Sequence, residues 1–319
     1  MNFIWKEIKC VGTRPLGRSS HSLDVISQTV YVMGGEHEPR IPIGSTVWCL
    51  DVASTKWWQL QTNGVEVPAR NAHASAVVGS SIYVFGGRQG VEMGEGSLAD
   101  MHRLDTTTGT WSEVKMTGDI PEARSYHRMT AIGTQIYVFG GCTTSGRLND
   151  LHTFSTDTGI WRKLPTSDAI LGRGGAGFTS VGKKLYVVGG FAGTEMEDVH
   201  EFDTERSHWR EIKTTPAFPP RSVFGLAALD TRLVVIGGEI DPSSLGHAGA
   251  GKFSDDVYVL DTANETSGWV RVVPGGDMQC SPRGWFPASA FGHDAIILFG
   301  GNALDNSRLD DTFLLQTTK

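Results

Sequence analysis

The chain of 319 residues carries 28 basic and 35 acidic side chains, which gives a formal net charge of −7. This acidic balance argues against a nucleic-acid partner, because phosphate backbones attract basic surfaces. No apolar run resembles a signal peptide or approaches the roughly 18 residues of a membrane span, and the four cysteines form no CxxC pair, so we predict free thiols, no membrane partner and a cytoplasmic location with the nucleus open as a second site.

The predicted strands follow a repeat. A short strand is expected within residues 3–9, and an apolar strand ending in Gly-Gly then recurs six times. The six copies are VYVMGG (30–35), IYVFGG (82–87), IYVFGG (136–141), LYVVGG (185–190), LVVIGG (233–238) and IILFGG (296–301). Their first glycines are 52, 54, 49, 48 and 63 residues apart. This spacing is typical of kelch repeats, in which about 50 residues form one four-stranded blade.

Each unit also carries an arginine and a closing tryptophan. The arginine stands 16 residues before the first glycine in five units and 17 before it in the sixth: Arg18, Arg70, Arg124, Arg173, Arg221 and Arg283. The tryptophans are Trp58, Trp111, Trp161, Trp209 and Trp269, and the sixth unit has none. Trp5, at the other end of the chain, is the missing one, which indicates that the amino-terminal strand completes the last blade and closes a ring without free edges.

We therefore predict an all-β fold, a six-bladed kelch β-propeller that occupies residues 1–319 as one domain. The predicted blades span residues 17–62, 69–115, 123–165, 172–213, 220–273 and 282–319, and residues 3–9 supply the outer strand of the sixth blade. The arginines precede the first strand of each blade and the Gly-Gly loops follow the second. In an antiparallel meander these two positions lie at the same end, so both are expected to surround one mouth of the channel.

A ring of arginines around that mouth favours an anionic ligand. The alternative is that each arginine hydrogen-bonds neighbouring blades and holds backbone carbonyls. Three units add a histidine three residues after the arginine, namely His21, His73 and His127. These histidines are expected near the channel, either as core residues or as a metal-binding trio.

Several segments then resemble a known family. In chain order they are GRSSH, FGGR, EARSYH, RGGAGF, PPRSVF, GEIDPSSLGH and PRGW. Together they resemble the plant specifier proteins, which include nitrile-specifier, epithiospecifier and thiocyanate-forming proteins, over essentially the whole chain. The resemblance implies an Fe(II)-dependent propeller that redirects the unstable aglycone released from a glucosinolate by a thioglucosidase.

The resemblance also implies site residues. The family's iron loop has the form E-x3-D-x3-H, which places ligands at Glu239 and His247 and leaves Ser243 where the family has aspartate. Asp241 is the candidate replacement, although Pro242 restricts the bend it would need. The arginine after the second Gly-Gly, Arg88, is expected to hold the sulfate-bearing end of the substrate, and Trp285 to wall the pocket.

Two functions remain as hypotheses. One is a specifier-like, Fe(II)-dependent lyase or isomerase of secondary metabolism that acts without net redox on a small anionic or sulfur-containing metabolite. Arg88, Trp285 and Arg283 would be its catalytic residues, with Arg18, Arg70, Arg124, Arg173 and Arg221 as further ligand-binding residues. The other is an interaction module that binds an acidic peptide or partner protein at the same mouth.

Overall fold

The computed structural model of the protein describes residues 2–92, 95–245, 249–264, 266 and 268–318. Within these ranges the regular elements are β-strands, and no α-helix occurs. Accordingly, the described ranges contain no helix that is long and apolar enough to cross a membrane. The four cysteines are free thiols, as the sequence predicts.

The strands form six antiparallel blades, three in the first half of the chain. The amino-terminal strand β1 is Asn2–Glu7. Blade 1 consists of β2 (Ser22–Ile26), β3 (Thr29–Met33), β4 (Trp48–Asp51) and β5 (Lys56–Gln59). Blade 2 consists of β7 (Ala74–Val78), β8 (Ser81–Phe85), β9 (Met101–Asp105) and β10 (Thr110–Glu113), with β6 (Asn63–Gly64) on its outer edge. Blade 3 consists of β12 (Arg128–Ile132), β13 (Gln135–Thr143), β14 (Gly146–Ser155) and β15 (Ile160–Lys163), with β11 (Thr117–Gly118) on its outer edge.

The second half of the chain repeats this arrangement. Blade 4 consists of β16 (Gly177–Val181), β17 (Lys184–Val188), β18 (Val199–Asp203) and β19 (His208–Glu211). Blade 5 consists of β20 (Gly225–Leu229), β21 (Arg232–Ile236), β24 (Val257–Asp261) and β25 (Val270–Val272), with a small hairpin of β22 (Glu239–Asp241) and β23 (Lys252–Phe253) in its long loop. Blade 6 consists of β26 (Ala288–Phe291), β27 (Ala295–Phe299), β28 (Thr312–Thr318) and β1.

Blade 6 closes the ring as predicted. β1 pairs with β28 in antiparallel register from Asn2 opposite Thr318 to Glu7 opposite Phe313. Trp5 lies opposite Leu315, and both side chains are buried in the cluster between blades 5 and 6. The prediction of a six-bladed β-propeller sealed by its amino-terminal strand is therefore confirmed.

The prediction that Trp58 is the core tryptophan of blade 1 is wrong by one residue. Trp57 pairs with Leu50 and is buried, whereas Trp58 is 38% exposed. The register matches that of Trp111 opposite Leu104 in blade 2. Adjacent residues of a strand face opposite sides of the sheet, so only one of two neighbouring tryptophans can enter the core.

The core is divided among the spaces between blades. Six apolar clusters among the described residues each combine side chains from two neighbouring blades. In one of them, Trp57 of blade 1 meets Phe299 of blade 6 with ring centroids 5.2 Å apart. Each blade is thus held by both neighbours, which fixes the loops at the ends of the propeller relative to one another.

Candidate functional site

The floor of the mouth is a closed ring of six backbone hydrogen bonds. Each blade contributes the residue two positions after its repeated arginine. The six members are Ser20, Ala72, Tyr126, Gly175, Val223 and Trp285. Each N–H donates to the carbonyl of the preceding blade's member over 2.7–3.0 Å, and Ser20 completes the circle by donating to Trp285.

All six members share a left-handed backbone conformation, with φ between 47° and 61°. That conformation is uncommon for residues other than glycine, and it is a marked outlier for the β-branched Val223. The regular positions around the ring therefore override the local preference of five of the six side chains. Tyr126, Gly175, Val223 and Trp285 line a cavity above this floor.

A second ring surrounds the floor. The residue after each Gly-Gly forms a two-way backbone bridge with the residue after the repeated arginine of its own blade. These post-glycine residues are Glu36, Arg88, Cys142, Phe191, Glu239 and Asn302. Their different side chains are what make the mouth asymmetric.

The repeated arginines do not face the mouth as a free cationic ring. Their guanidinium Nη1 atoms donate to the carbonyl of the first glycine of the Gly-Gly pair over 2.9–3.0 Å in all six blades. Their exposed fractions are between 0 and 4%. The repeated arginines thus have the structural role that the sequence left open, which is to hold a backbone carbonyl. The Gly-Gly turn leaves a buried carbonyl oxygen that needs a donor. The six residues are Arg18, Arg70, Arg124, Arg173, Arg221 and Arg283.

Four of these arginines are also neutralised by a bidentate aspartate of the same blade. The pairs are Arg70–Asp100, Arg124–Asp150, Arg173–Asp198 and Arg283–Asp311. Burial alone would raise the pKa values of Asp100, Asp150 and Asp198. Hydrogen bonds from the arginine and from a histidine two residues after each aspartate instead hold them well below the usual range. Arg283 is therefore a structural residue here and not a group that reaches a ligand.

The three histidines of the sequence motif lie between blades. His21 packs edge-on against Phe299 and His127 against Phe85, both residues of the preceding blade. The His73 ring lies against Gly34, where a Cβ would come within 2.7 Å of it. Burial lowers the pKa of His73 to about 3 and that of the other two well below the usual value, so all three are neutral core residues. Nothing in the described chain brings three or more His, Cys, Asp or Glu side chains together in a metal-binding group.

One half of the mouth is filled by a network of polar side chains. The Glu36 carboxylate accepts from Arg308 Nη2 at 2.9 Å and from the Asn71 amide at 3.1 Å. Asn71 in turn accepts from Arg88 Nε at 3.3 Å. The Arg88 guanidinium is 1% exposed and lies 5.1 Å from the Tyr126 ring centroid. Arg88 therefore supports the floor from behind Tyr126 and does not line the cavity.

The other half of the mouth is a cavity of about 320 Å³. Its apolar lining comes from Tyr126, Phe191, Val223, Pro242 and Trp285. Its polar lining comes from Cys142, Arg147, Ser222, Glu239 and Ser243. The Tyr126 and Trp285 rings meet edge-on with centroids 5.5 Å apart, which gives the cavity a rigid aromatic corner.

Arg147 provides the cation of this cavity. It lies on β14, directly opposite Cys142 in the blade 3 hairpin, where the sequence predicts a loop and the structure has two long strands. Its guanidinium carbon stacks 4.7 Å above the Phe191 ring centroid. Within the described ranges no carboxylate lies at ion-pair distance from it. Arg147 is thus oriented by an aromatic face while its donors stay available to an anion.

Glu239 supplies the carboxylate of the cavity lining, and Glu195 lies within electrostatic reach of it. Glu239 is 6% exposed, and burial raises its pKa to about 7, with the Asp241 charge adding to the shift and the Gly251 N–H opposing it. Burial also raises the pKa of Glu195, in the loop of blade 4, to about 8, helped by the charges of Glu239 and Asp241 and opposed by the Ser222 hydroxyl. Negative charge is therefore crowded at the boundary of blades 4 and 5.

The structure brings together only part of the predicted site. Trp285 and Glu239 line the same cavity, with Ser243 beside them. Asp241 lies on the same hairpin but is exposed, and His247 lies outside the described residues. Arg147, Glu195 and Tyr126 were missed. Tyr126 and Trp285 both stand two positions after the repeated arginine, so the repeat could have identified Tyr126. Arg147 and Glu195 occupy positions that do not recur in the other blades.

This geometry defines a class of protein, a closed β-propeller with a cavity built from the loops of one mouth. Residues 20–238 match the KLHDC2/KLHL20/DRC7 Kelch-repeats domain. The chain belongs to the Kelch-repeat family.

Individual relatives extend this result. The N-(sulfonatooxy)prop-2-enimidothioate sulfolyase of Thlaspi arvense is 31% identical over 340 residues, covering 97% of this chain and 95% of that protein. Human Kelch domain-containing protein 3 is 29% identical over 188 residues, which are 56% of this chain and 48% of that protein. The solved structure of YjhT superposes with a TM-score of 0.74 over 96% of this chain and 99% of its own, at 17% identity, and so shares the fold.

Proposed function

We propose that this chain is a specifier-like, Fe(II)-dependent lyase or isomerase that acts without net redox on a small anionic, sulfur-containing metabolite. The observation that carries the proposal is the division of the mouth cavity. Its lining combines Arg147, a cation with no carboxylate at ion-pair distance among the described residues, with the buried carboxylate Glu239. Aromatic rings complete the lining, and one of them stacks on Arg147. The full-length similarity to a sulfolyase supports the same class of reaction.

The cavity suits an N-sulfonatooxy imidothioate. Its volume of about 320 Å³ lies at the lower end of the range for small-molecule sites, roughly 300–1,000 Å³. Arg147 offers forked donors that match a sulfate, and the Phe191 ring holds those donors in place. The organic group of the substrate would then rest against Trp285 and Val223.

The residues at the acidic wall fit a divalent metal. Both carboxylate oxygens of Glu195 are buried, and among the described residues neither makes a hydrogen bond of good geometry, with the Ser222 hydroxyl as the neighbouring donor. Glu239, also buried, adds a second oxygen donor, and such sets suit Fe(II) or Mn(II). A bound metal would supply Lewis-acid polarisation of the sulfur or of the leaving group.

The reaction needs no electron acceptor. When the N–O bond breaks, sulfate leaves with the bonding electron pair and carries both negative charges of an N-sulfonatooxy imidothioate. The remaining carbon, nitrogen and sulfur atoms form a neutral product. In this chain, Arg147 would stabilise the charge that grows on the departing sulfate, and the aromatic corner would exclude water from the fragment left behind.

The test is product analysis. An N-sulfonatooxy imidothioate generated in place by a thioglucosidase, under anaerobic conditions with Fe(II), is followed by gas chromatography and by sulfate release. We expect the protein to change the product mixture, and Arg147→Met to lower the effect at least tenfold, because a charge-assisted pair contributes about 1.5–3 kcal/mol. Arg162→Met is the control, since Arg162 is exposed on the neighbouring strand β15. A mixture identical to that formed without protein would refute the proposal.

A second function rests on a different observation. Exposed apolar side chains stand on the loops around the mouth, including Ile41 (52%), Leu245 (70%) and Leu304 (55%). Such a rim suits a protein or acidic peptide partner, as in an interaction module. Capture experiments with the wild type and Leu304→Glu test it: a partner lost with the substitution supports this function, and the absence of any rim-dependent partner refutes it.

A further inference from the structure

Two carboxyl groups from neighbouring blades, each with its oxygens or its whole side chain buried, influence one another beside the cavity. Glu195 belongs to the loop between β17 and β18 of blade 4 and forms a backbone bridge with Phe191, which lines the cavity. Glu239 begins the hairpin of blade 5 and forms a bridge with Ser222. The charge of Glu239 acts on Glu195, so the two groups are electrostatic neighbours although 44 positions separate them in the sequence.

Glu195 has no cationic partner among the described residues. Neither of its oxygens is exposed, and neither makes a hydrogen bond of good geometry; the Ser222 hydroxyl is the neighbouring donor that favours its charged form. Buried carboxylates are normally satisfied by donors or cations, and an orphaned one indicates a missing partner. The Arg221 charge lowers the pKa of Glu195 by less than the charges of Glu239 and Asp241 raise it, and the Arg221 guanidinium itself donates to the Gly237 carbonyl at 2.9 Å.

The hairpin of blade 5 carries the other carboxylate, which lines the cavity. Gly251 packs so closely on Glu239 Oε1 that a Cβ at this position would collide with it. The Ser243 hydroxyl accepts the Leu245 N–H at 3.1 Å and is thereby engaged within its own loop. Asp241 is exposed. The hairpin alone therefore presents one buried carboxylate, Glu239.

We propose that Glu195 and Glu239 together hold one divalent cation, so that Glu195, from the neighbouring blade, supplies the carboxylate that Ser243 cannot. The inference rests on the proposed function for the identity of the metal, but its geometry stands on the orphaned carboxylate. A cation there joins blades 4 and 5 beside the substrate cavity and satisfies both buried groups at once.

The experiment is a titration with Mn(II), in which electron paramagnetic resonance measures the free ion. We expect one site in the wild type, at least tenfold weaker binding in Glu195→Gln, and similar weakening in Glu239→Gln. Glu197→Gln is the matched control, because Glu197 is exposed in the same loop. Unchanged affinity in Glu195→Gln, or no binding by the wild type, overturns the inference.

Thermal unfolding supplies the second measurement. Mn(II) should raise the melting temperature of the wild type and of Glu197→Gln but not of Glu195→Gln, because only a native-state site stabilises the fold. Without metal, Glu195→Gln should melt no lower than the wild type, since it removes an unpartnered charge. A lower melting temperature would indicate that Glu195 is a structural residue and would overturn the inference.

The two proposals fail differently. If Glu239→Gln abolishes Mn(II) binding while Glu195→Gln retains it, the inference is overturned and the proposed function stands. If both carboxylates bind Mn(II) but the product mixture from the sulfonatooxy substrate is unchanged by the protein, the cation site stands and the proposed function is refuted.

Discussion

Replacing Asp150 by asparagine tests whether the repeated arginines are structural. Asp150 accepts hydrogen bonds from Arg124 Nη1 at 2.7 Å, Arg124 Nη2 at 2.9 Å and His152 Nε2 at 3.0 Å. Arg124 is fully buried, so Asp150→Asn leaves its charge without compensation. Removing one partner of a buried ion pair costs about 3–5 kcal/mol, and the remaining amide oxygen places the expected loss near the lower value.

The assay is urea unfolding at pH 7, with the free energy of unfolding obtained by linear extrapolation. Glu205→Gln is the control: Glu205 pairs with Lys183 at 2.6 Å, but both side chains are more than 60% exposed, so little change is expected. An Asp150→Asn protein that loses less than about 1 kcal/mol would refute the structural role of the pair.

The same variant has a defined pH dependence. The folded state holds the pKa of Asp150 below its unfolded value, so the pair contributes stability above about pH 4 and loses that contribution as the pH falls further. The difference in unfolding free energy between wild type and Asp150→Asn should therefore narrow in acid. A difference that stays constant from pH 7 to pH 3 would contradict the ion-pair account.

Three further predictions follow from the fold. Trp57→Ala should cost about 3–5 kcal/mol in urea unfolding and Trp58→Ala far less, and equal losses would contradict the register of blade 1. Burial raises the pKa of Asp24 to about 7, so the contribution of Asp24 to stability falls as the pH rises through that value. The melting temperature of Asp24→Asn should therefore rise relative to that of the wild type between pH 4 and pH 8. An unchanged difference in melting temperature would mean that water in the channel solvates this carboxylate. Deleting residues 1–7 exposes the edge of β28 and should produce oligomers in size-exclusion chromatography, whereas a stable monomer would show that blade 6 needs no fourth strand.

The fold was predictable because it repeats. The Gly-Gly period, the arginine spacing and the displaced Trp5 each carry the same six-fold signal, and each was confirmed by the sheets. The error at Trp58 arose where two tryptophans are adjacent, since a repeat of about 50 residues cannot decide between neighbouring positions.

The candidate site was less predictable because it is the part that does not repeat. An arginine at the motif position looks the same whether it faces a ligand or a carbonyl, and the aspartates that neutralise Arg70 and Arg124 lie 30 and 26 residues downstream. Arg147 and Glu195 belong to single blades, and their meeting at one cavity depends on the closure of the ring. Sequence reasoning alone placed Glu239 and Trp285 correctly at the mouth but had no basis for pairing either with a residue from another blade.

The floor of the mouth has an electrostatic consequence. Its six peptide groups point the same way around the propeller axis, each N–H toward the preceding blade. Dipoles arranged head to tail in a circle cancel one another, unlike those of a helix, which add along its axis and create charged ends. The ring therefore adds no net dipole to the mouth. The charge that the mouth attracts is set by the side chains of the loops around it, while the scaffold beneath stays the same.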